Sequence, residues 1–249
     1  MFLYALRTSR SVHLIGVIHP HVLARLGYSI SWFLPTYSQT YAQENLAMPE
    51  RWNQRYSTVS ALPEVSYGLQ NNTHLLPKTG TGLDLACGLG QNLIFLTKHG
   101  LSMHGWDYSA AGIEQMARHC SIQKVEVNQR CIDLTTTAWP SQTFDLICVT
   151  AFLDRTLCPQ IVSHLNPGGI LVYQTFNQVT DIEGQNLNKP RRQRFLLGTG
   201  ELLELFAELE PLVYHDEQEF AQLDHPLAGK ALLIARKVAV TDDENSASC

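Results

Sequence analysis

The chain has 249 residues, with 18 Lys and Arg against 23 Asp and Glu for a formal net charge of −5; 45% of it is hydrophobic and 16% charged. That length can bury a large core, which excludes a disordered chain, and the acidic balance gives no broad electrostatic footprint for DNA or RNA. No apolar run approaches the ~20 residues needed to span a bilayer, so a compact cytoplasmic domain without a membrane partner is expected.

Residues 1–47 contain Arg7, Arg10 and Arg25 with the single acid Glu44, whereas residues 48–249 carry 15 basic and 22 acidic groups. The apolar stretch from Val12 is interrupted by His13, His19, Pro20, His21 and Arg25, which makes a poor secretory core. An Arg- and Ser-containing organellar leader is a second reading. A start of translation at Met48, just before the helix-entry sequence Pro49 to Tyr56, is preferred, because residues 1–47 show no sustained period. Residues 48–238 are expected to form the domain and residues 239–249 a flexible polar tail. The cysteines at 87, 120, 131, 148, 158 and 249 form no C-x-x-C pair and read as reduced thiols, with no metal site.

From residue 80 onward short apolar runs alternate with helical patterns. Gly82 to Ala86 predicts a strand, Gly88-Leu89-Gly90 a turn, and Asn92 to His99 a helix. Leu101 to Trp106 predicts the second strand, followed by a helix from Ser109, whose hydroxyl can cap the free N–H groups. A third strand is expected within Val125 to Cys131. The fourth, Phe144 to Val149, is apolar on both faces, the mark of a central parallel strand covered by helices. Asp154 to Leu165 predicts a helix, and Asn166-Pro167-Gly168-Gly169 a turn into the strand Ile170 to Tyr173. The succession is βαβαβ, an α/β doubly wound sheet. The end departs from it: a helix, Glu201 to Leu209, precedes two strand-like runs, Leu212 to Glu219 and Ala231 to Val238, most easily an antiparallel pair at one edge.

The chemical signal lies in Asp84-Leu85-Ala86-Cys87-Gly88-Leu89-Gly90-Gln91-Asn92. Its glycines let the backbone approach a ligand at the end of the first strand, beside the crevice where open α/β sheets bind. Asp107 ends the second strand 17 residues after Gly90, where a carboxylate can accept ribose hydroxyls, and Asp133 closes the third, where an adenine amino group would lie. A dinucleotide site would place a third glycine at position 93, which is Leu93, and Asp84 would repel a pyrophosphate. A sulfonium and ammonium pair, as in S-adenosylmethionine, suits the acid better.

These residues resemble a known family. Asp84 to Gly90, Trp106-Asp107, Asp133-Leu134, Phe144 to Ile147 and Leu165 to Gly169 look like the successive motifs of class I S-adenosylmethionine-dependent methyltransferases. Gly105-Trp-Asp-Tyr-Ser109, Gly200 to Leu203 and Ala231 to Lys237 are most similar to the tellurite-resistance type. The resemblance implies a Rossmann-like methyltransferase fold, seven mostly parallel strands with an antiparallel last strand. It also implies a cofactor site in which Cys87, Gly88, Gly90 and Asn92 form the loop and Asp84 faces the amino-acid end. Asp107 with Tyr108 would hold the ribose, Asp133 with Leu134 the adenine, and Thr150 with Ala151 the methionyl chain. Trp52, Arg55 and Tyr56 resemble an amino-terminal helix that closes over the cofactor, with Arg55 a carboxylate partner.

The reaction expected is methyl transfer by in-line attack on a small-molecule acceptor. The alternatives are an S-adenosylmethionine-binding interaction module without catalysis and an NAD-dependent dehydrogenase, which the missing glycine disfavours. Phe152 and Arg155 follow the fourth strand near the expected transfer point. The basic run Lys189 to Arg194 offers a lid for an acidic substrate, against the plainer reading of a solvated face. His225 is a weak candidate base, lacking the Arg that follows it in some members of the resembled family.

Overall fold

A computed structural model describes residues 4–8, 11–15, 48–59, 61–178, 193–216 and 225–239. The chain divides into two compact units, residues 1–51 and 52–249. In the first, β1 (Tyr4–Thr8) pairs antiparallel with β2 (Ser11–Ile15). Helix α1 (Met48–Ser57) crosses the division, where the sequence predicts a helix entry. The expected basic lid lies outside the described residues up to Arg192, as does the tail beyond residue 239.

The second unit is built on β3 (Thr81–Leu85), β4 (Ser102–Asp107), β5 (Asn128–Cys131), β6 (Phe144–Thr150), β7 (Leu165–Phe176), β8 (Glu210–His215) and β9 (Lys230–Arg236). These form one seven-stranded sheet in the order β5-β4-β3-β6-β7-β9-β8. The pairs among β5, β4, β3, β6 and β7 are parallel, and β9 runs antiparallel to both β7 and β8. The fold is therefore the doubly wound one, with the last strand reversed and inserted beside the edge strand.

The alternation of the central strands decides the two layers. Leu83, Leu85, Ile147, Val149, Leu171 and Tyr173 face one core, closed by α5 (Cys158–Ser163) and α6 (Glu201–Leu205). Leu146, Cys148, Val172 and Ile234 face the other, closed by α3 (Gln91–His99) and α4 (Ala110–Gln123). Strand β6 has buried residues on both faces because it lies between two parallel neighbours under both helix layers. A short helix, α2 (Tyr67–Gln70), packs on the second face through the buried Leu69.

Several elements are shorter than the apolar pattern predicts. The helix expected from Asp154 resolves into a 3₁₀ turn, Arg155–Leu157, then α5, because the Asp154 carboxylate accepts from the Thr156 amide at 3.0 Å and opens a tight turn. Helix α6 stops at Leu205, short of the expected Leu209. The Asn166 to Gly169 turn sits inside a longer β7, as an irregularity against β6 between Phe144 and Leu146. Its anchor is Asp145, which accepts from the Thr81 amide and from Asn166 Nδ2, each at 2.8 Å.

The Thr81 amide, with Asn166, holds the Asp145 carboxyl below the usual carboxylate range. Its contribution to stability is therefore present above about pH 4 and lost as pH falls through the lowered value. Asp145→Asn should cost about 1–3 kcal/mol at pH 7 and less at acidic pH, measured by denaturant unfolding across that range.

Candidate functional site

Strand β3 delivers Asp84 into the middle of the sheet. The side chain is 1% exposed and neither carboxylate oxygen has a hydrogen-bond partner of ordinary geometry. Burial pushes its carboxyl up to about 8, and the nearby Asp107 adds to the rise, eased only in part by the Leu93 amide. Burial and then the Asp84 carboxyl raise the thiols of Cys87 and Cys148, which stay protonated.

Beyond Asp84 the chain turns sharply. Ala86 has φ 57°, Gly88 52° and Gly90 84°, so three of five residues are left-handed, which the glycines accept without strain. Gly90 must also be small, because a Cβ there would stand 2.5 Å from Met116 Cγ of α4. Asp107, 3% exposed at the end of β4, holds the loop: Oδ2 accepts from the Gly88 amide at 2.9 Å and Oδ1 from the Ser109 amide at 2.8 Å. Ser109 Oγ then accepts from the Gly112 amide at 3.1 Å, the helix cap that its sequence position predicts.

Tyr56 lies over this loop. A Cβ on Gly88 would meet its hydroxyl at 2.7 Å, and one on Gly112 its ring at 2.9 Å. Burial and then the Asp107 charge raise its phenol, which stays protonated. One turn earlier Asn53 Oδ1 accepts from Ser109 Oγ at 2.7 Å and from the Ala111 amide at 3.2 Å. Asn53 and Gly112 escape a motif-based reading, since their partners are distant in sequence; their one local signal is the i, i+3 spacing of Asn53 and Tyr56 on α1. Arg55 stacks its guanidinium on Trp52, 5.0 Å from the ring centroid.

The remaining expected residues fall into two groups. Thr150 ends β6 and, with Ala151 (φ 54°), borders the loop from the next strand. Asp133 is half-buried after β5; its Oδ1 accepts from the Thr135 amide and hydroxyl, which hold its carboxyl below the usual range. Leu134 packs in the core, and Tyr108 is half-buried beside Asp107. Asn92 is tied at both ends, accepting from the Ser66 amide at 2.9 Å and donating to Thr150 Oγ1 at 2.8 Å.

The acceptor-side expectations are placed differently. Arg155 pairs with Glu201 and donates to the Arg194 and Leu196 carbonyls, so its guanidinium braces the start of α6. Phe152 packs against the core beneath its own carbonyl, which accepts from Tyr173. His225 lies apart from both, against Tyr67 and His215.

The methyltransferase-domain family model matches residues 83–169, from Asp84's strand through the glycine loop to the turn in β7. The chain carries a methyltransferase domain. Its fold is that of class I S-adenosylmethionine-dependent enzymes, and S-adenosylmethionine is the cofactor the domain implies. TehB from Haemophilus influenzae is 18% identical with a TM-score of 0.54, over 76% of this chain and 66% of that one. A SAM-dependent methyltransferase from Methanosarcina mazei is 17% identical with a TM-score of 0.53, over 72% of this chain and 100% of its own length. The [4+2]-cyclase SpnF is 15% identical with a TM-score of 0.57, over 81% of this chain and 95% of that one. At these identities the likeness is one of fold. The curated proteins contain no match.

The methyltransferase domain, free of ligand, should lose stability as pH rises from about 5 to about 8. Asp84 binds its proton more tightly folded than unfolded, so the native state holds the extra proton in that window. Asp84→Asn should flatten this slope in denaturant unfolding measured at several pH values.

Proposed function

We propose that the chain transfers a methyl group from S-adenosylmethionine to a small-molecule acceptor by in-line attack. The observation that carries this reading is the buried Asp84 carboxyl, without a hydrogen-bond partner of ordinary geometry, at the foot of a left-handed glycine loop. A carboxylate so placed is costly unless a cation completes it, and a pyrophosphate would make it worse. An ammonium group at the cofactor's amino-acid end supplies that cation.

Around it, Gly88 and Gly90 lie under the cofactor and Cys87 stays a protonated packing thiol. Asp107 faces the ribose hydroxyls with the lone pairs its amides leave open, beside Tyr108. Asp133 and Leu134 border the adenine, and Thr150 and Ala151 the methionyl chain. Tyr56 and Arg55 cover the site from α1, while Asn92 acts by holding Thr150. The bound cofactor supplies an electrophilic methyl carbon on a sulfonium, whose carbon–sulfur electron pair stays on sulfur as the acceptor's lone pair forms the new bond. The protein's part is alignment and exclusion of water, and a soft or anionic acceptor needs no dedicated base.

The small-molecule class is supported by the acidic balance of residues 48–249, which gives nucleic acid no attraction. A cytoplasmic location is supported by the free thiols at Cys87, Cys120, Cys131, Cys148 and Cys158. No helix among the described residues is long and apolar enough to cross a membrane.

Calorimetry at pH 7 tests the cofactor half. S-Adenosylhomocysteine binding should release close to one proton as the Asp84 carboxyl ionises against the ammonium, seen as a dependence of the heat on buffer ionisation enthalpy. Asp84→Asn should remove that release and weaken binding by about 1.5–3 kcal/mol, and Asp107→Ala should cost about 1–3 kcal/mol. Tighter binding of NAD, or binding without proton release, would sink the reading. Formation of S-adenosylhomocysteine with at least one thiol, phenol or oxyanion in a panel separates an enzyme from a binding module.

A further inference from the structure

Tyr67 opens α2 in a segment bracketed by side chains from the carboxyl rim of the sheet. On one side the Ser66 amide donates to Asn92, which is itself tied to Thr150 at the end of β6. On the other, the Gly68 amide donates to Gln174 Oε1 at 2.8 Å. Gln174 is the β7 residue paired with Thr150, so both brackets converge on the β6–β7 ends. Gly68 is seated directly on the sheet: a Cβ there would stand 2.6 Å from Leu232 Cδ1 and 3.1 Å from Gln174 Oε1. In the strand order this is the side of the crevice away from Asp107 on β4.

Two imidazoles meet Tyr67 there. The His225 ring contacts it edge-on at 5.2 Å and 67°, and His215, at the end of β8, stacks on His225 at 5.3 Å and 28°. All three residues are half-buried, Tyr67 at the margin of the second core. His225 Nδ1 accepts a hydrogen bond from the Leu227 amide at 3.2 Å. A ring nitrogen that accepts carries no hydrogen, so in the neutral ring the hydrogen is assigned to Nε2. His225 is thereby a donor whose basic lone pair is already engaged, which removes it as a general base.

We infer that Tyr67, His225 and His215 form the acceptor wall of the site, suited to a flat aryl anion, a phenolate or aryl thiolate, that accepts a hydrogen bond from His225 Nε2. This inference rests on the methyltransferase reading and adds the acceptor's chemical class. Ring edges and faces set at these angles favour a further aromatic partner over an aliphatic one of equal size. A donor with no free lone pair favours an acceptor that arrives already ionised, which it holds by a charge-assisted bond, over one that must lose a proton. Asn92 and Gln174 are positioning residues, acting through the backbone of the Tyr67 segment.

The test uses the full chain saturated with S-adenosylhomocysteine and labelled at histidine Cε1, titrated at pH 8 with 4-nitrophenolate and, separately, with cyclohexanecarboxylate. 4-Nitrophenolate should move the signals of His225 and His215, assigned by their loss in His225→Gln and His215→Gln. It should bind about tenfold more tightly than the aliphatic anion. Tyr67→Leu and His225→Leu should each lower that affinity about fivefold or more, Tyr67→Phe should keep it, and S-adenosylhomocysteine affinity should stay within about twofold throughout, which reports an intact fold. Unmoved ring signals, or equal affinity for the two anions, with S-adenosylhomocysteine still bound, would overturn the wall and leave the cofactor reading standing. Failure of the unmodified chain to bind S-adenosylhomocysteine would overturn the cofactor reading on which the wall depends.

Discussion

The site is organised around one unfavourable fact, a carboxyl group with no partner in the middle of a seven-stranded sheet. Asp84 alternates with Leu83 and Leu85, whose side chains bury in the opposite core. Its strand is flanked by β4 and β6 in parallel, so no edge offers it water. A buried group in that position either carries a proton or meets a cation. Burial favours the protonated form in the empty domain, and the proposed ammonium partner would favour the ionised form in the complex. Perturbed carboxyls in a crevice are a mark of binding sites, and here loop geometry points to the same spot independently.

Asp107 shows how differently one residue type can be used a short distance away. It is as deeply placed, yet amides of Gly88 and Ser109 satisfy both oxygens in part, and their donation eases the rise that burial imposes. Those bonds fix the shape of the loop and the start of α4 at once, and Asn53 then fastens α1 to the same helix end. Asp107 builds the cradle that Asp84 makes selective. Losing Asp107 therefore removes two bonds that shape the loop and the start of α4, whereas Asp84 holds no such bond.

The parts of the fold legible in the sequence are those whose cause is local. Short apolar runs place β3, β4, β6 and β9, Ser109 caps α4 as a hydroxyl before a helical run should, and the glycines with their acids mark the loop. Three residues show where local reasoning stops. Arg155 follows β6 and suggests substrate, but Glu201, in the first turn of α6, neutralises it across 46 positions. Gly68 is a buried anchor only because Gln174 reaches its amide across 106. Asn53 joins the site only because the Ser109 hydroxyl and the Ala111 amide reach it across 56 and 58 positions. In each case the deciding partner is supplied by topology, which no short window contains.

The cofactor half and the acceptor half of the crevice differ in how they are built, and this explains why the first is readable and the second is not. The proposed cofactor half rests mainly on backbone amides, left-handed glycines and strand-end acids within residues 83–169, the span that matches the methyltransferase domain, with Asn53 and Tyr56 of α1 laid against them. The acceptor half draws on a segment before β3, on β7, on the end of β8 and on the turn before β9, four stretches with no common motif. A fold shared with a [4+2]-cyclase shows that the sheet itself does not choose the reaction. What chooses is the chemistry facing the β6–β7 ends. There the pinned tautomer of His225 matters more than the presence of a histidine: the same ring with Nδ1 free would be a base, and the Leu227 amide makes it a donor.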